Sequence, residues 1–465
     1  MIALHHTGGQ TWAVFGLARS GLATARALVA GGAQVRPWDD TEAARSAAET
    51  AGLRPVPLND AALAGCSGLV LAPGVPLTHP APHDVVAAAA RAGIPVLGDI
   101  ELLLRELQPA NGIGICGITG TNGKSTTSAL LAHVLQQGGR RTALGGNIGT
   151  PALDLPRFGA DDSGIYVIEM SSFQIDLTPG WKADIAILLN ITPDHLDRHG
   201  DIETYAAIKA RIFAGQGEGD TAIIGVDDEY CRRIHDRLAA QQSGRRIVPV
   251  SIERRLDDGI SAIDGKLCEN GREVFALDFA ALPGAHNGQN IACVYAAARA
   301  AGLDAETIRR GIASFPGLKH RLQRVGVIDG IPCINDSKAT NADSTAKALA
   351  SFETIYWIAG GKPKEGGIDS LRPFFPRIRH ASLIGEAAPA FAATLGSAVP
   401  HRLCGTLDVA LDDALAAARR DGIEGAVVLL SPACASYDQY KSFEHRGDAF
   451  IELVARRGAV TGAAA

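Results

Sequence analysis

Glycine, lysine and hydroxyl residues crowd one stretch of this sequence. Gly120, Thr121, Asn122, Gly123, Lys124, Ser125 and Thr126 lie between an apolar run at 113–118 and a helical pattern carrying Leu130, Leu131, Val134 and Leu135 on one face. Glycines let peptide N–H groups curl round phosphate oxygens, and the helix start adds positive partial charge. A lysine there reaches the terminal phosphates and a hydroxyl ligates Mg2+. The spacing therefore predicts a nucleoside triphosphate site, although Ile118 stands where the generic loop has glycine. Glu169 closes a second apolar run at 165–169, and an acid at such a strand end can hold the Mg2+ of the nucleotide. In the polar stretch 190–199, His195, Asp197 and His199 admit a zinc centre or a plain surface loop, and we read His195 as serving a second Mg2+ or the substrate. Lys209 has apolar neighbours at 206–213. Such a lysine usually snorkels to water, whereas desolvation would leave a neutral amine reactive toward CO2; the pattern by itself favours the first. Two further polar clusters follow apolar runs: 335–341, with Asp336, Lys338 and Thr340, and 431–441, with Ser436 and Tyr437. They imply a second ligand surface facing the nucleotide domain.

The elements that must position these groups read as α/β throughout. At the start, a strand at 12–16, a helix at 20–30 and a strand at 34–38 make a βαβ unit with Gly16, Arg19, Ser20 and Gly21 in its first turn and Asp39 about twenty residues on. This resembles a dinucleotide-binding fingerprint with Ala18 in place of the middle glycine, so the turn suits NAD or a nucleotide diphosphate at the same helix start. Strands at 68–72 and 94–97 with a helix at 85–92 continue the domain, and Gly74 ends one strand at the ligand edge. A linker is expected at 108–112, then a central domain of parallel strands buried on both faces, including 185–190, and a last α/β domain with strands at 332–334, 355–359, 381–384 and 426–430 and a helix at 407–420. The expected domains are 1–110, 111–317 and 318–465: a Rossmann-like first domain, a central phosphate-loop ATPase-type parallel sheet and a Rossmann-like last domain. The tail from 458 has nothing to bury.

Composition narrows the function. At 465 residues the chain exceeds one ordinary core, and 46% apolar residues suffice for several. A net charge of −6 with no extended basic block argues against nucleic-acid binding. The eight cysteines form no CxxC pair, as in a reduced cytoplasmic protein. No secretory leader and no run long enough for membrane insertion is evident. The expectation is a cytoplasmic enzyme acting on small molecules, and we expect a monomer.

Taken together, TGTNGKST at 119–126, EMSSFQ at 169–174, GAHNGQN at 284–290, HR at 320–321, NDSKATN at 335–341 and LSPACASYDQYKSFEHRG at 430–447 resemble the Mur ligases of peptidoglycan synthesis. TGTNGK is that family's own form of the loop, so Ile118 is no exception within it. The last motif, with GLARSG at 16–21, is most similar to the members that add D-glutamate. The resemblance implies an ATP-dependent ligase that joins D-glutamate to the alanyl carboxylate of UDP-N-acetylmuramoyl-L-alanine through an acyl phosphate. It implies Lys124, Ser125 and Thr126 on ATP phosphates and a first Mg2+ with Glu169, and a second Mg2+ shared by His195 and a carbamylated Lys209. It puts Asn287 and Asn290 near adenine, with Arg321, Asp336 and Lys364 reaching the nucleotide. Lys338, Thr340, Ser436, Tyr437 and Phe443 would meet glutamate, and Arg19, Ser20, Asp39, Gly74 and Asn147 would hold the UDP-sugar. Folylpolyglutamate synthase, which also joins glutamate to a carboxylate, another Mur-type ligase, a nicotinamide-dependent oxidoreductase built on the Gly16 turn, and a phosphate-loop regulator built on Lys124 are the alternatives.

Overall fold

Buried apolar runs alternating with helices assemble into three sheets. The computed structural model describes residues 1–107, 113–159, 163–241, 243–279, 281–282, 284, 286–363 and 366–458. The expected linker at 108–112, Lys364 and all but the first residue of the expected tail lie outside them. The chain folds as two compact units, Met1–Leu277 with Gly288–Ile312, and Asp278–Asn287 with Ala313–Ala465.

The first unit holds two sheets. In the smaller, β1 (Thr11–Phe15), β2 (Gln34–Trp38), β3 (Gly68–Leu71) and β4 (Val96–Leu97) run parallel in the order β2-β1-β3-β4. The helix Arg19–Ala30 follows β1 and buries Ala23, Ala25, Ala27 and Leu28. The larger sheet comprises β5 (Ile113–Thr119), β6 (Arg141–Gly146), β7 (Gly164–Glu169), β8 (Ile185–Leu188), β9 (Thr221–Gly225), β10 (Arg246–Ser251), β11 (Ile260–Ile263), β12 (Lys266–Glu269) and β13 (Arg272–Ala276). Its order is β13-β12-β11-β10-β9-β8-β5-β7-β6, parallel from β6 to β11, with β12 and β13 antiparallel at one edge. Strictly parallel pairing was expected here. The antiparallel edge arises because Asp264-Gly265 and Asn270-Gly271 take positive φ in succession, the two-residue turn that folds a strand straight back.

The helix Asp99–Leu107 joins the two sheets of this unit. Three of its acids are buried, and two are spent on the neighbouring sheet's loops. Glu101 accepts from the Gly180 N–H at 2.8 Å, while Glu106 accepts from Arg157 at 2.6 Å and sits 2.8 Å from His6 Nδ1. One apolar core accordingly runs from Ile2 through Leu104 and Tyr166 to Leu238.

The second unit is built on β14 (Gln323–Ile328), β15 (Ile331–Asn335), β16 (Ile355–Gly360), β17 (Ile378–Ile384), β18 (His401–Gly405) and β19 (Val427–Leu430), in the order β14-β15-β19-β16-β17-β18. All its pairs are parallel except β14 with β15. Alternation along β16 sends Trp357 and Ala359 into a core with Phe375 and Phe391, and Tyr356 and Ile358 into another with Leu411 and Phe450. Among the described residues no helix is long and apolar enough to cross a membrane.

Gly117 shows how tightly the larger sheet is packed. A Cβ there would run into the ring of Trp181, which is 2% exposed and donates to the Ile212 carbonyl at 2.7 Å. Gly117→Ala is expected to lower stability by about 1–3 kcal/mol through overpacking. Urea denaturation checks this, and an unchanged midpoint would contradict it.

Candidate functional site

The glycine loop leaves β5 and enters the helix Lys124–Gln137 through Gly123 at φ 84°. A side chain there would be strained by that φ and would strike Asn290 Oδ1. The loop is held from behind. The Thr121 N–H donates to the Asn190 carbonyl and the Asn122 N–H to Asn190 Oδ1, both at 2.9 Å, while Asn190 Nδ2 donates to Gln289 at 2.8 Å. These two amides therefore hold the shape of the loop. Asn290, which the resemblance puts near adenine, has its buried Oδ1 accepting from Thr127 Oγ1 at 3.1 Å and so braces the helix behind the loop. Ser125 and Thr126 stand half-buried in the first turn of that helix, and Asn287 is buried near the start of the helix His286–Ala300.

Two lysines meet at one carbonyl. Lys124 Nζ donates to the Gly120 and Thr121 carbonyls at 2.8 Å each, and Lys209 Nζ donates to the same Gly120 carbonyl at 2.9 Å and to Thr119 Oγ1 at 3.3 Å. Lys209 comes from the helix Ile202–Ala210, is 1% exposed and lies 4.7 Å from the centre of the Tyr205 ring. It does not snorkel. Burial, and then the charge of Lys124, hold its pKa well below the ordinary lysine value, while Asp194 and Glu169 pull the other way.

Glu169 ends β7 beside this pair. It is 1% exposed; its Oε1 accepts from Asn147 Nδ2 at 2.9 Å, and its Oε2 has no hydrogen-bond partner among the described residues. A buried carboxylate oxygen left without a hydrogen bond fits a cation, since burial without a partner is costly. Among the described residues no three His, Cys, Asp or Glu side chains gather closely enough to cage a metal. Mg2+ at nucleotide sites takes one or two carboxylates and fills its shell with phosphate oxygens and water. His195 adopts a left-handed conformation at φ 54°, with Nε2 3.4 Å from Asp194, and its ring packs against Phe173 at 4.9 Å. His199 turns inward instead: it is buried, 2.9 Å from Ser172 Oγ, and stacked on Phe173. The two histidines share the Phe173 ring, and among the described residues no third ligand joins them in a group that could cage zinc.

In the small sheet of the same unit, the N–H of Leu17 in the first turn donates to Asp39 Oδ2 at 2.7 Å, and Asp39 Oδ1 accepts from the Thr41 N–H at 2.8 Å. Burial raises the Asp39 pKa, but these bonds and Arg45 outweigh it and leave it below the ordinary value. The acid thus fixes the turn. A Cβ on Gly21 would overlap the Gly16 carbonyl, so the helix packs directly on the turn. Arg19 donates to the Gly149 carbonyl at 2.5 Å, linking the turn to the loop of Asn147, and Ser20 begins the helix half-buried. Beyond β3, a Cβ on Gly74 would meet no heavy atom within 4 Å among the described residues other than its chain neighbours.

The second unit presents its two predicted loops as one assembly. Arg446, fully buried in the helix Phe443–Arg456, donates to Ser337 Oγ at 3.0 Å and to the carbonyls of Ser337, Cys434 and Ala435 at 2.9, 3.1 and 3.3 Å. Asp336 accepts from Ser431 Oγ at 2.8 Å, and burial pushes its pKa up to about 7 despite that bond and the charge of Arg321. Lys338 Nζ lies 4.3 Å from the centre of the Phe443 ring, Ser436 is buried, Tyr437 is 69% exposed and Thr340 is half-buried. Arg198, Asn190, Tyr205 and Arg446 were given no role from sequence. Arg198 adjoins His199, Arg446 lies within the motif at 430–447 and Asn190 ends a predicted strand, but nothing in residue type told bracing from binding.

The Lys209 environment sets a pH dependence. The unfolded chain keeps this amine protonated up to the ordinary lysine range while the folded chain does not, so stability rises with pH from the lowered folded value toward 10.5. In CO2-free buffer, the thermal midpoint of the wild type relative to Lys209→Met should climb as pH rises toward the ordinary lysine value of 10.5. A difference that stays flat or falls would contradict a buried, deprotonated amine.

A family model described as the Mur ligase middle domain matches residues 118–298, the span of the loop, Glu169, His195 and Lys209. The UDP-N-acetylmuramoylalanine--D-glutamate ligase of Bradyrhizobium diazoefficiens is 51% identical over 462 residues, covering 98% of this chain and 98% of that protein. The ligase of the same name from Agrobacterium fabrum is 51% identical over 461 residues, covering 98% and 97%. Among solved structures, the UDP-N-acetylmuramate-alanine ligase of Thermotoga maritima superimposes with a TM-score of 0.59 over 96% of this chain and 99% of that one, at 17% identity, a likeness of fold alone. On sequence identity over nearly its whole length, the chain belongs to the Mur ligases, in the group of UDP-N-acetylmuramoylalanine--D-glutamate ligases.

Proposed function

We propose that this chain joins D-glutamate to the alanyl carboxylate of UDP-N-acetylmuramoyl-L-alanine with ATP, releasing ADP and phosphate, in the assembly of cytoplasmic peptidoglycan precursors. The observation that carries the reading is the convergence of Lys124 and Lys209 on one loop carbonyl beside the unpartnered Glu169 oxygen. A carboxylate does not condense with an amine in water, because its oxygen is a poor leaving group. Attack of that carboxylate on the γ-phosphorus of ATP, with departure of ADP, converts the oxygen into a phosphate leaving group. The amine of D-glutamate then adds to the carbonyl carbon, phosphate departs and the nitrogen loses a proton. Both partners in the first step are anions, so positive charge must be in place before they meet.

Lys124 supplies part of that charge from the loop, and the helix start at Ser125 and Thr126 supplies more. Mg2+, held by Ser125 and Glu169 at one position and by His195 and Lys209 at a second, would screen the phosphates and polarise the transferring group. Lys209 fits the second position as a carbamate: its neutral amine adds to CO2 and loses a proton, turning a buried amine into an anionic oxygen ligand. Arg19, Ser20, Asp39, Gly74 and Asn147 form the proposed UDP-sugar side. Thr340, Ser436, Tyr437 and Phe443, with Lys338, form the proposed glutamate side. Asn287, Asn290, Arg321 and Asp336 are assigned to the nucleotide, Asn290 by bracing the loop. The working domain assignment is 1–110 for the UDP-sugar, 111–317 for ATP and 318–465 for the amino acid, in a monomer.

Phosphate release from ATP should require both UDP-N-acetylmuramoyl-L-alanine and D-glutamate, with L-glutamate failing to substitute. Lys124→Met should lower kcat by at least about a hundredfold, the scale of losing one charge stabiliser of a transition state. Release independent of either acceptor would contradict the proposal.

A further inference from the structure

Arg198 touches both halves of the proposed site in the first unit, yet nothing above gives it a part in the reaction. One guanidinium nitrogen donates to the Gly74 carbonyl and another to the Val75 carbonyl, each at 2.9 Å. The guanidinium carbon lies 4.8 Å from the centre of the Phe173 ring. The same ring packs on His195 at 4.9 Å and stacks on His199 at 5.2 Å, and His199 is in turn held by Ser172. One side chain therefore ties the loop after β3 to the segment that carries His195. A planar fork can hold two successive carbonyls and lie flat on an aromatic ring at once, which an ammonium cannot. Holding both carbonyls from one side fixes the backbone at Gly74, whose missing side chain leaves open space. None of the hydrogen bonds or ion pairs of Arg198 among the described residues is to a carboxylate. Among the described residues no carboxylate thus pairs directly with this charge beside Gly74.

We infer that Arg198 is a positioning residue for the nucleotide-sugar substrate: it sets the Gly74 backbone and adds a positive charge on the face that receives the anionic nucleotide sugar. The inference rests on the ligase reading above. Because its hydrogen bonds are to backbone carbonyls of one loop, their loss falls chiefly on the nucleotide sugar.

The test compares wild type, Arg198→Met and Arg198→Lys by calorimetric binding of UDP-N-acetylmuramoyl-L-alanine, by KM for each substrate and by thermal midpoint. Arg198→Met should weaken binding of the nucleotide sugar about tenfold, the scale of one or two lost charge-assisted bonds. The KM for ATP should change less than the nucleotide-sugar affinity, because Arg198 reaches His195 only through the Phe173 ring but hydrogen-bonds the Gly74 and Val75 carbonyls directly. Arg198→Lys keeps the charge without the fork and should fall between the two. If Arg198→Met does not fold, the lysine variant carries the same comparison. Unchanged nucleotide-sugar affinity in a folded variant, or equal losses for ATP and nucleotide sugar, would overturn the inference. Failure of the wild type itself to bind the nucleotide sugar would overturn the ligase reading along with it.

Discussion

Two lysine amines aimed at one carbonyl oxygen form the constraint around which the rest of this structure is arranged. Lys124 and Lys209 both lie within hydrogen-bond distance of the Gly120 oxygen, which puts them at most about 6 Å apart. Two unit charges at that spacing repel by on the order of 3 kcal/mol at the effective dielectric of a protein site. Lys209 is almost wholly buried, so it bears most of the cost and sheds its proton more readily than an ordinary lysine. The arrangement is relieved by bringing in anions or by discharging Lys209, and the proposed chemistry uses both. ATP phosphates would meet Lys124 at the loop, and a carbamate on Lys209 would replace repulsion with attraction. The orphaned oxygen of Glu169 completes the same logic, because a buried carboxylate oxygen without a donor is matched by a cation.

The fold serves this constraint by spending backbone and amide groups as braces. Asn190 holds Thr121 and Asn122, Asn290 takes the Thr127 hydroxyl, and Tyr205 OH lies 3.1 Å from Thr121 Oγ1 beneath the Lys209 amine. In the second unit Arg446 does comparable work, gathering the carbonyls of two loops around a charge buried so deeply that its pKa falls to about 10. Rigid supports of this kind let a site meet its transition state without reorganising.

Much of this was legible in the sequence for identifiable reasons. The strand, glycine loop and helix at 113–137 obey local geometry, and β16, an apolar run buried on both faces, sends alternate residues into two cores by strand pleating, so composition and order sufficed for both. The Asp-Gly and Asn-Gly turns at 264–265 and 270–271 carried an equally local signal for the antiparallel edge, overlooked because the surrounding sheet is parallel. Lys209 was different. Its burial depends on Thr119, Tyr205 and Gly120 arriving from other elements, and no pattern within 206–213 encodes that; only the family resemblance turned the reading from a solvated lysine to a buried one. Arg198 was hidden for the same reason, since its partners lie more than a hundred residues away.

The central claim is that a carboxylic acid is made electrophilic here by transfer of phosphate before nitrogen attacks. Hydroxylamine is small enough to intercept such an anhydride. With ATP and UDP-N-acetylmuramoyl-L-alanine present and D-glutamate omitted, mass spectrometry should find the hydroxamate of the nucleotide sugar accumulating in step with ADP. Amide formation with D-glutamate under conditions where hydroxylamine never yields a hydroxamate would contradict the account.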